Sequence, residues 1–165
     1  MNKYALSWII RIVIAGLFIL SAVAKLYPSP YFAISTFEVK QLYPLGFSEN
    51  VAPFFSRFLI GIELALGILF LLPVKIRKVI TPASILLLAA FTIHLAYETF
   101  KTGGNSGSCG CFGELIPMTP IEAMIKNIVA IGLLIWLLML KIPDTIKSRL
   151  WFTSTITLAS ILGLF

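Results

Sequence analysis

The sequence predicts an all-α fold, a polytopic bundle of transmembrane helices, and three observations lead there. Hydrophobic residues make up 59% of the chain and charged residues only 12%, with a mean hydropathy of +0.99. A soluble domain of 165 residues has too little interior to hide that much apolar surface, so the chain needs lipid. Five apolar runs, 5–24, 53–72, 79–97, 120–140 and 150–165, match or approach the ~20 residues that a helix needs to cross a hydrocarbon core of about 30 Å. Lysine and arginine collect in alternate loops, as the positive-inside rule requires of a chain that crosses the bilayer repeatedly.

The first run, 5–24, has the outline of a secretory signal: Lys3 precedes it and the small residues Ala22-Val23-Ala24 end it. Arg11 inside the would-be hydrophobic region argues against cleavage, so the run is read as the first span. Residues 28–50 are too few and too polar to span. Their aromatic residues, Tyr31, Phe32, Phe37, Tyr43 and Phe47 among them, suit a short helix or loop lying in the interface at headgroup depth. Pro73 closes the second span, and Pro82 falls in the first turn of the third, where its missing N–H costs little. The fourth span opens on Thr119-Pro120-Ile121-Glu122, which reads as an N-cap threonine, a proline at the first helical position and a capping-box glutamate. Pro143 ends it. The fifth run stops at Phe165 without a polar flank, as expected of a piece of a longer protein in which an exterior domain follows. The organisation is therefore a membrane unit over 1–140, with a cysteine loop at 98–119, followed by a loop and fifth span over 141–165.

Basic residues assign the sides. Lys3, the loop with Lys75, Arg77 and Lys78, and the loop with Lys141, Lys147 and Arg149 belong in the cytoplasm. The opposite loops carry Glu38, Glu49, Glu98, Glu114 and Glu122 against Lys40 and Lys101, so the cysteine loop and the C-terminus face outward. The net charge of +6 reports this orientation; no basic cluster is interleaved with base-stacking aromatics, which excludes nucleic acid as a partner.

Both cysteines of the chain lie in Cys109-Gly110-Cys111-Phe112-Gly113, behind the tether 103–108. Two thiols spaced i, i+2 cannot staple distant loops, so the pair is local chemistry. Gly110 removes the Cβ that would crowd a disulfide across one residue. Such a bond, strained and exposed, has a high reduction potential and passes on oxidising equivalents readily. A purely stabilising bridge is a poor alternative, because closing three residues removes little unfolded-chain entropy. A soft metal is the rival: two thiolates grip Cu(I), with His94 or Met118 as a third ligand, whereas zinc wants four ligands that the chain does not supply. His94, near the outer end of the third span, is otherwise a base that lowers a thiol pKa or an ordinary interfacial histidine.

Charges within the spans are costly in hydrocarbon and normally face partners inside the bundle. Arg11 lies roughly 20 Å below Lys25, and Glu63 roughly 15 Å below Pro53. An Arg11–Glu63 ion pair near mid-membrane is therefore expected. Lys25, Arg57 and Lys126, with Asn127 beside the last, form a basic floor under the cysteine loop, suited to a thiolate or to an anionic or quinone-like head; snorkelling at the boundary is the plain alternative for Lys25 and Arg57.

These residues resemble a known family. Arg11-x4-Gly16-x-Phe18-x2-Ser21-x3-Lys25, then Glu63-x3-Gly67, the Cys-Gly-Cys-Phe-Gly loop and Lys126-Asn127 are similar to the methylamine-utilisation E (MauE) and DoxX group of redox-associated membrane proteins, over roughly residues 8–140. The resemblance implies a four-helix DoxX-like core, here with a fifth C-terminal span, in the bacterial inner membrane. It also implies assistance in forming disulfides of a periplasmic dehydrogenase subunit, alongside a thioredoxin-like partner. Cys109 and Cys111 would be the redox pair, supported by Gly110, Phe112 and Gly113. Enzymes of the DsbB and VKOR type relay electrons through a second cysteine pair to quinone; this chain has one pair. Either a quinone reaches the loop directly or electrons leave through another protein. No resident cofactor is implied, and quinone is the one candidate. Besides thiol–disulfide exchange, copper handling and a structural membrane anchor remain as readings.

Overall fold

The computed structural model describes residues 2–26, 38–72, 76–102, 107, 109–110, 112, 115–140 and 150–164, and all regular structure among them is helical. Helix α1 runs over Lys3–Leu26, α2 over Ala52–Leu71, α3 over Thr81–Thr102, α4 over Pro120–Met139 and α5 over Leu150–Leu162. A π-turn at Glu38–Leu42 and a 3-10 turn at Tyr43–Leu45 stand before α2, and a second π-turn, Ile76–Ile80, leads into α3. Four stretches are long and apolar enough to cross a membrane: Lys3–Leu26, Ala52–Leu71, Ile76–Lys101 and Pro120–Met139. The fifth apolar helix is present and lies against α2. Its 13 residues rise about 20 Å, less than the hydrocarbon thickness of about 30 Å.

Each helix forms for a readable reason. Along α1 the buried residues Ile10, Ile14, Phe18, Ser21 and Lys25 recur at spacings of three and four, which places them on one face. The matching face of α2 buries Ile60, Glu63, Gly67 and Phe70. The two faces meet along their length, with the Phe18 and Phe70 rings stacked at 6.4 Å. Gly67 permits the closeness: a Cβ there would lie 2.6 Å from the Ile19 side chain and 3.2 Å from the Ala15 carbonyl oxygen. Backbone contact through small residues is how helices associate where lipid removes any hydrophobic drive. Gly61 does the same for α5, since its Cβ would stand 2.7 Å from Ile161 Cα.

The capping box expected at the start of α4 is formed: Thr119 Oγ1 accepts the Glu122 N–H and Glu122 Oε2 accepts the Thr119 N–H. Pro82 sits in the first turn of α3, and the hydroxyls of Ser84, Thr92 and Thr99 donate to carbonyls four residues back, so the helix satisfies these three hydroxyls itself. The helix stops expected from Pro73 and Pro143 lie outside the described residues, as do 28–37 of the interfacial segment; α2 ends at Leu71 and α4 at Met139.

Packing is by pairs. α1 packs along α2 and α3 along α4, while α1 meets α4 more lightly. A common core of Ile10, Ile14, Phe18, Phe70, Leu88 and Leu134 joins the pairs. The outer surface is apolar as well: Leu86 and Ile93 on α3 are 74% and 71% exposed, and Ile125, Ile128 and Val129 on α4 are exposed too. That pattern is unfavourable in water and natural in lipid.

Candidate functional site

The site is built at one end of the bundle, where α1 and α3 finish and α2 and α4 begin. Leu95 of α3 and Ala123 of α4, both buried, close around Cys109, with Met118 and Met124 packed alongside. Cys109 is only 4% exposed. The loop is therefore not the exposed feature the sequence suggested, at least at this cysteine. Two hydrogen bonds fold it inward: the Cys109 N–H donates to the Met118 carbonyl at 2.8 Å, and its own carbonyl accepts Gln41 Nε2 at 2.6 Å. Gly110 follows at φ +70°, a left-handed conformation that a side chain would strain. Cys111 and Gly113 lie outside the described residues. Phe112 is buried, and the Lys126 ammonium stands 4.0 Å from its ring centroid, a cation–π contact that ties the loop to α4.

Below the loop a narrow, partly open cleft runs between the two helix pairs. Its polar end holds Lys25, Ser21, Glu63, Lys126 and Asn127, and its walls include Phe18, Leu88 and Phe91. Lys25 donates to both carboxylate oxygens of Glu63 at 2.6 Å, and Ser21 donates to Oε2 at 3.1 Å. The side chains of the ion pair are 4% and 6% exposed. The Asn127 Oδ1 and His94 Nε2 atoms are buried and have no hydrogen-bond partner among the described residues.

Two expectations change. The Arg11–Glu63 pair does not form, because Arg11 donates instead to the carbonyls of Phe70 at 2.9 Å and Leu72 at 2.7 Å. Phe70 is seven residues, about 10 Å of helix rise, from Glu63. Arg11 thus satisfies the orphan carbonyls at the end of α2, a partner available to any cation at that depth. The basic floor is divided: Lys25 and Lys126 line the cleft, but the Lys25 charge is matched by Glu63, while Arg57 acts on the Glu38 carboxylate. Glu38 is buried and accepts the Ser56 hydroxyl at 2.9 Å; burial pushes its carboxyl pKa up, with the Ser56 bond and the Arg57 charge pulling against that. His94 adjoins Leu95, which points its ring about 100° around α3 from the residue that packs on Cys109.

Ser21, Gln41 and the Glu38–Ser56 bond were not singled out as site features by the sequence. Ser21 and Lys25 are four residues apart on one helical face, a spacing that signals a shared partner. Gln41 gives no such signal, since its partner is a backbone carbonyl 68 positions away.

The chain is 64% identical over 160 residues to "Protein TlpB" of Flavobacterium psychrophilum, a match covering 97% of this chain and 44% of that protein. The chain thus spans less than half the length of the curated relative it matches. No solved structure matches it. The family model described as methylamine utilisation protein MauE matches residues 3–140, which takes in α1 to α4 and the cysteine loop. This chain, a bundle with four helices long enough to span a membrane, belongs to the MauE family.

Proposed function

We propose that this protein is a membrane thiol–disulfide redox protein whose Cys109–Cys111 pair, on the extracytoplasmic side of the inner membrane, exchanges with a thioredoxin-like or other exterior partner. The observation that carries the reading is the seating of Cys109: a left-handed glycine turn, two hydrogen bonds and a cation-capped Phe112 hold the loop on the helix ends. A loop without chemistry would have little need of that anchorage. Membership of the MauE family and the basic residues in the loops at the opposite end support the same reading.

In the exchange, a partner thiolate attacks one sulfur of the Cys109–Cys111 bond and forms a mixed disulfide, releasing the other sulfur as a thiolate. A second partner thiol then displaces the first sulfur, so the partner ends as a disulfide and this pair as two thiols. Burial of Cys109 adds a condition: the loop must lift from Leu95 and Ala123, or the partner must lift it, before that sulfur is attacked.

Trapping tests this. Membranes carrying Cys109→Ser or Cys111→Ser, quenched with acid and alkylated, should each be examined for mixed-disulfide adducts on non-reducing gels, with an adduct expected for one variant. Absence of adducts from both removes the exchange mechanism. Stoichiometric Cu(I) binding lost in both variants replaces it with metal handling.

A further inference from the structure

We infer that the turn Glu38–Leu42 is a latch over Cys109, closed while the buried Glu38 carboxyl holds a proton and opened when that proton leaves; as regulation of the Cys109–Cys111 pair, it rests on the exchange reading above. Connectivity is the first argument. One five-residue turn carries both Gln41, whose Nε2 donates to the Cys109 carbonyl at 2.6 Å, and Glu38, whose carboxyl meets Ser56 Oγ at 2.9 Å. Together they tie the cysteine loop to the start of α2. Leu42, 2% exposed, adds an apolar anchor in a cluster with Ala52, Phe55 and Phe91.

The count of hydrogens is the second. Ser56 Oγ stands 2.9 Å from Glu38 Oε1 and 3.0 Å from the Pro53 carbonyl oxygen, and its hydroxyl has one hydrogen for these two acceptors. A protonated Glu38 removes the shortage, since its O–H donates to Ser56 Oγ and the Ser56 hydrogen goes to Pro53. Glu38 and Ser56 are 4% and 0% exposed, so a charge formed there is costly, and burial pushes the Glu38 pKa up accordingly. Once ionised, the carboxylate is drawn from Ser56 toward water and toward Arg57, the cation that acts on it from α2 and that lies about 100° around that helix from Ser56. From the 3-10 turn Tyr43 faces the same carboxyl, and Glu49 acts on that phenol in turn; burial and then the two carboxylates push the Tyr43 pKa up, so it stays neutral while Glu38 titrates. The side chain of Lys40 lies outside the described residues. Movement of Glu38 carries the turn with it, and Gln41 leaves the Cys109 carbonyl. Both are positioning residues, acting on the thiol through the seating of its loop.

The test uses the full chain in lipid nanodiscs, in a Cys111→Ser background, with N-ethylmaleimide as the probe of Cys109. Alkylation rates are taken from about pH 5 to about pH 8, a range that spans a raised carboxyl pKa. Ionisation of the thiol quickens every variant alike, so the readout is the ratio of the rate with Glu38 to the rate with Glu38→Gln. That ratio should be near one at the acid end and rise severalfold toward the alkaline end. Glu38→Met, also uncharged, takes the place of Glu38→Gln if the latter does not fold. With Gln41→Ala the latch is already open, and the same ratio should be flat across the range. A direct effect of the Glu38 charge on the thiol would persist there. A flat ratio with Gln41 in place, or a rising one without it, overturns the latch. Trapping with reduced thioredoxin, on the single cysteine variants, reads the exchange separately. Adducts alongside a flat ratio overturn the latch alone, whereas a rising ratio without adducts from either variant supports the latch and overturns the exchange reading beneath it.

Discussion

The Lys25–Glu63 pair gives the sharpest prediction, because its burial sets the size of the effect. Lys25 reaches both carboxylate oxygens at 2.6 Å, Ser21 supplies a further donor, and the two side chains are 4% and 6% exposed. Lys25→Met or Glu63→Leu alone strands a charge inside the bundle, and breaking a buried pair this way costs about 3–5 kcal/mol. The double variant removes both charges and should lie within about 2 kcal/mol of the native chain, on either side. An ordinary hydrogen bond between membrane helices contributes only about 0.6 kcal/mol, so the two cases are distinguishable. The assay is reversible unfolding in mixed micelles of rising SDS fraction, followed by circular dichroism. Single variants costing under about 1 kcal/mol each, with additive effects in the double, would refute the view that this pair is a desolvated ion pair joining α1 to α2.

Other outcomes follow from the same geometry. Arg11→Gln should lower stability by about 1–3 kcal/mol through loss of charged hydrogen bonds to the end of α2. In a cycle with Glu63→Gln its effect should be additive; strong coupling would restore the Arg11–Glu63 pair. Gly67→Val should force α1 from α2 and cost about 1–3 kcal/mol or more, as overpacking does, measured by the same unfolding assay. Gln41→Ala removes the bond to the Cys109 carbonyl, and alkylation of Cys109 by a maleimide, timed by mass shift in a Cys111→Ser background, should quicken severalfold. The Glu38 carboxyl has a raised pKa in the folded chain, so the native state holds its proton to higher pH than the unfolded state does. Its contribution therefore favours folding at acid pH and is lost as pH rises from about 4.5 through the folded value. Glu38→Gln should flatten that part of the stability–pH profile, and an unchanged slope would count against the burial argument.

Much of the bundle was legible because lipid imposes simple rules. A spanning segment must be long, apolar and helical, so the four long helices, the proline in the first turn of α3 and the Thr119–Glu122 box could be read in order. The cysteine loop stands out in the sequence because both thiols of the chain flank a single glycine. Its burial was not legible, because the Gln41 side chain and the Met118 carbonyl fold it inward by bonding the backbone of Cys109, which carries no sequence signal.

What the sequence by itself determined was the four long helices, their order, and the separation between the cysteine loop and the basic loops, since each follows from hydropathy and local charge; the fifth run, read as a span, forms a helix of 13 residues. Only the tertiary structure decided partners. Depth alone offered Glu63 to Arg11; the antiparallel register of α1 on α2, set by close contact at Gly67, gave it to Lys25 and left Arg11 to the carbonyls of Phe70 and Leu72. The same packing of helices in pairs opened the cleft under Cys109, because an empty volume belongs to how surfaces meet and to no single segment.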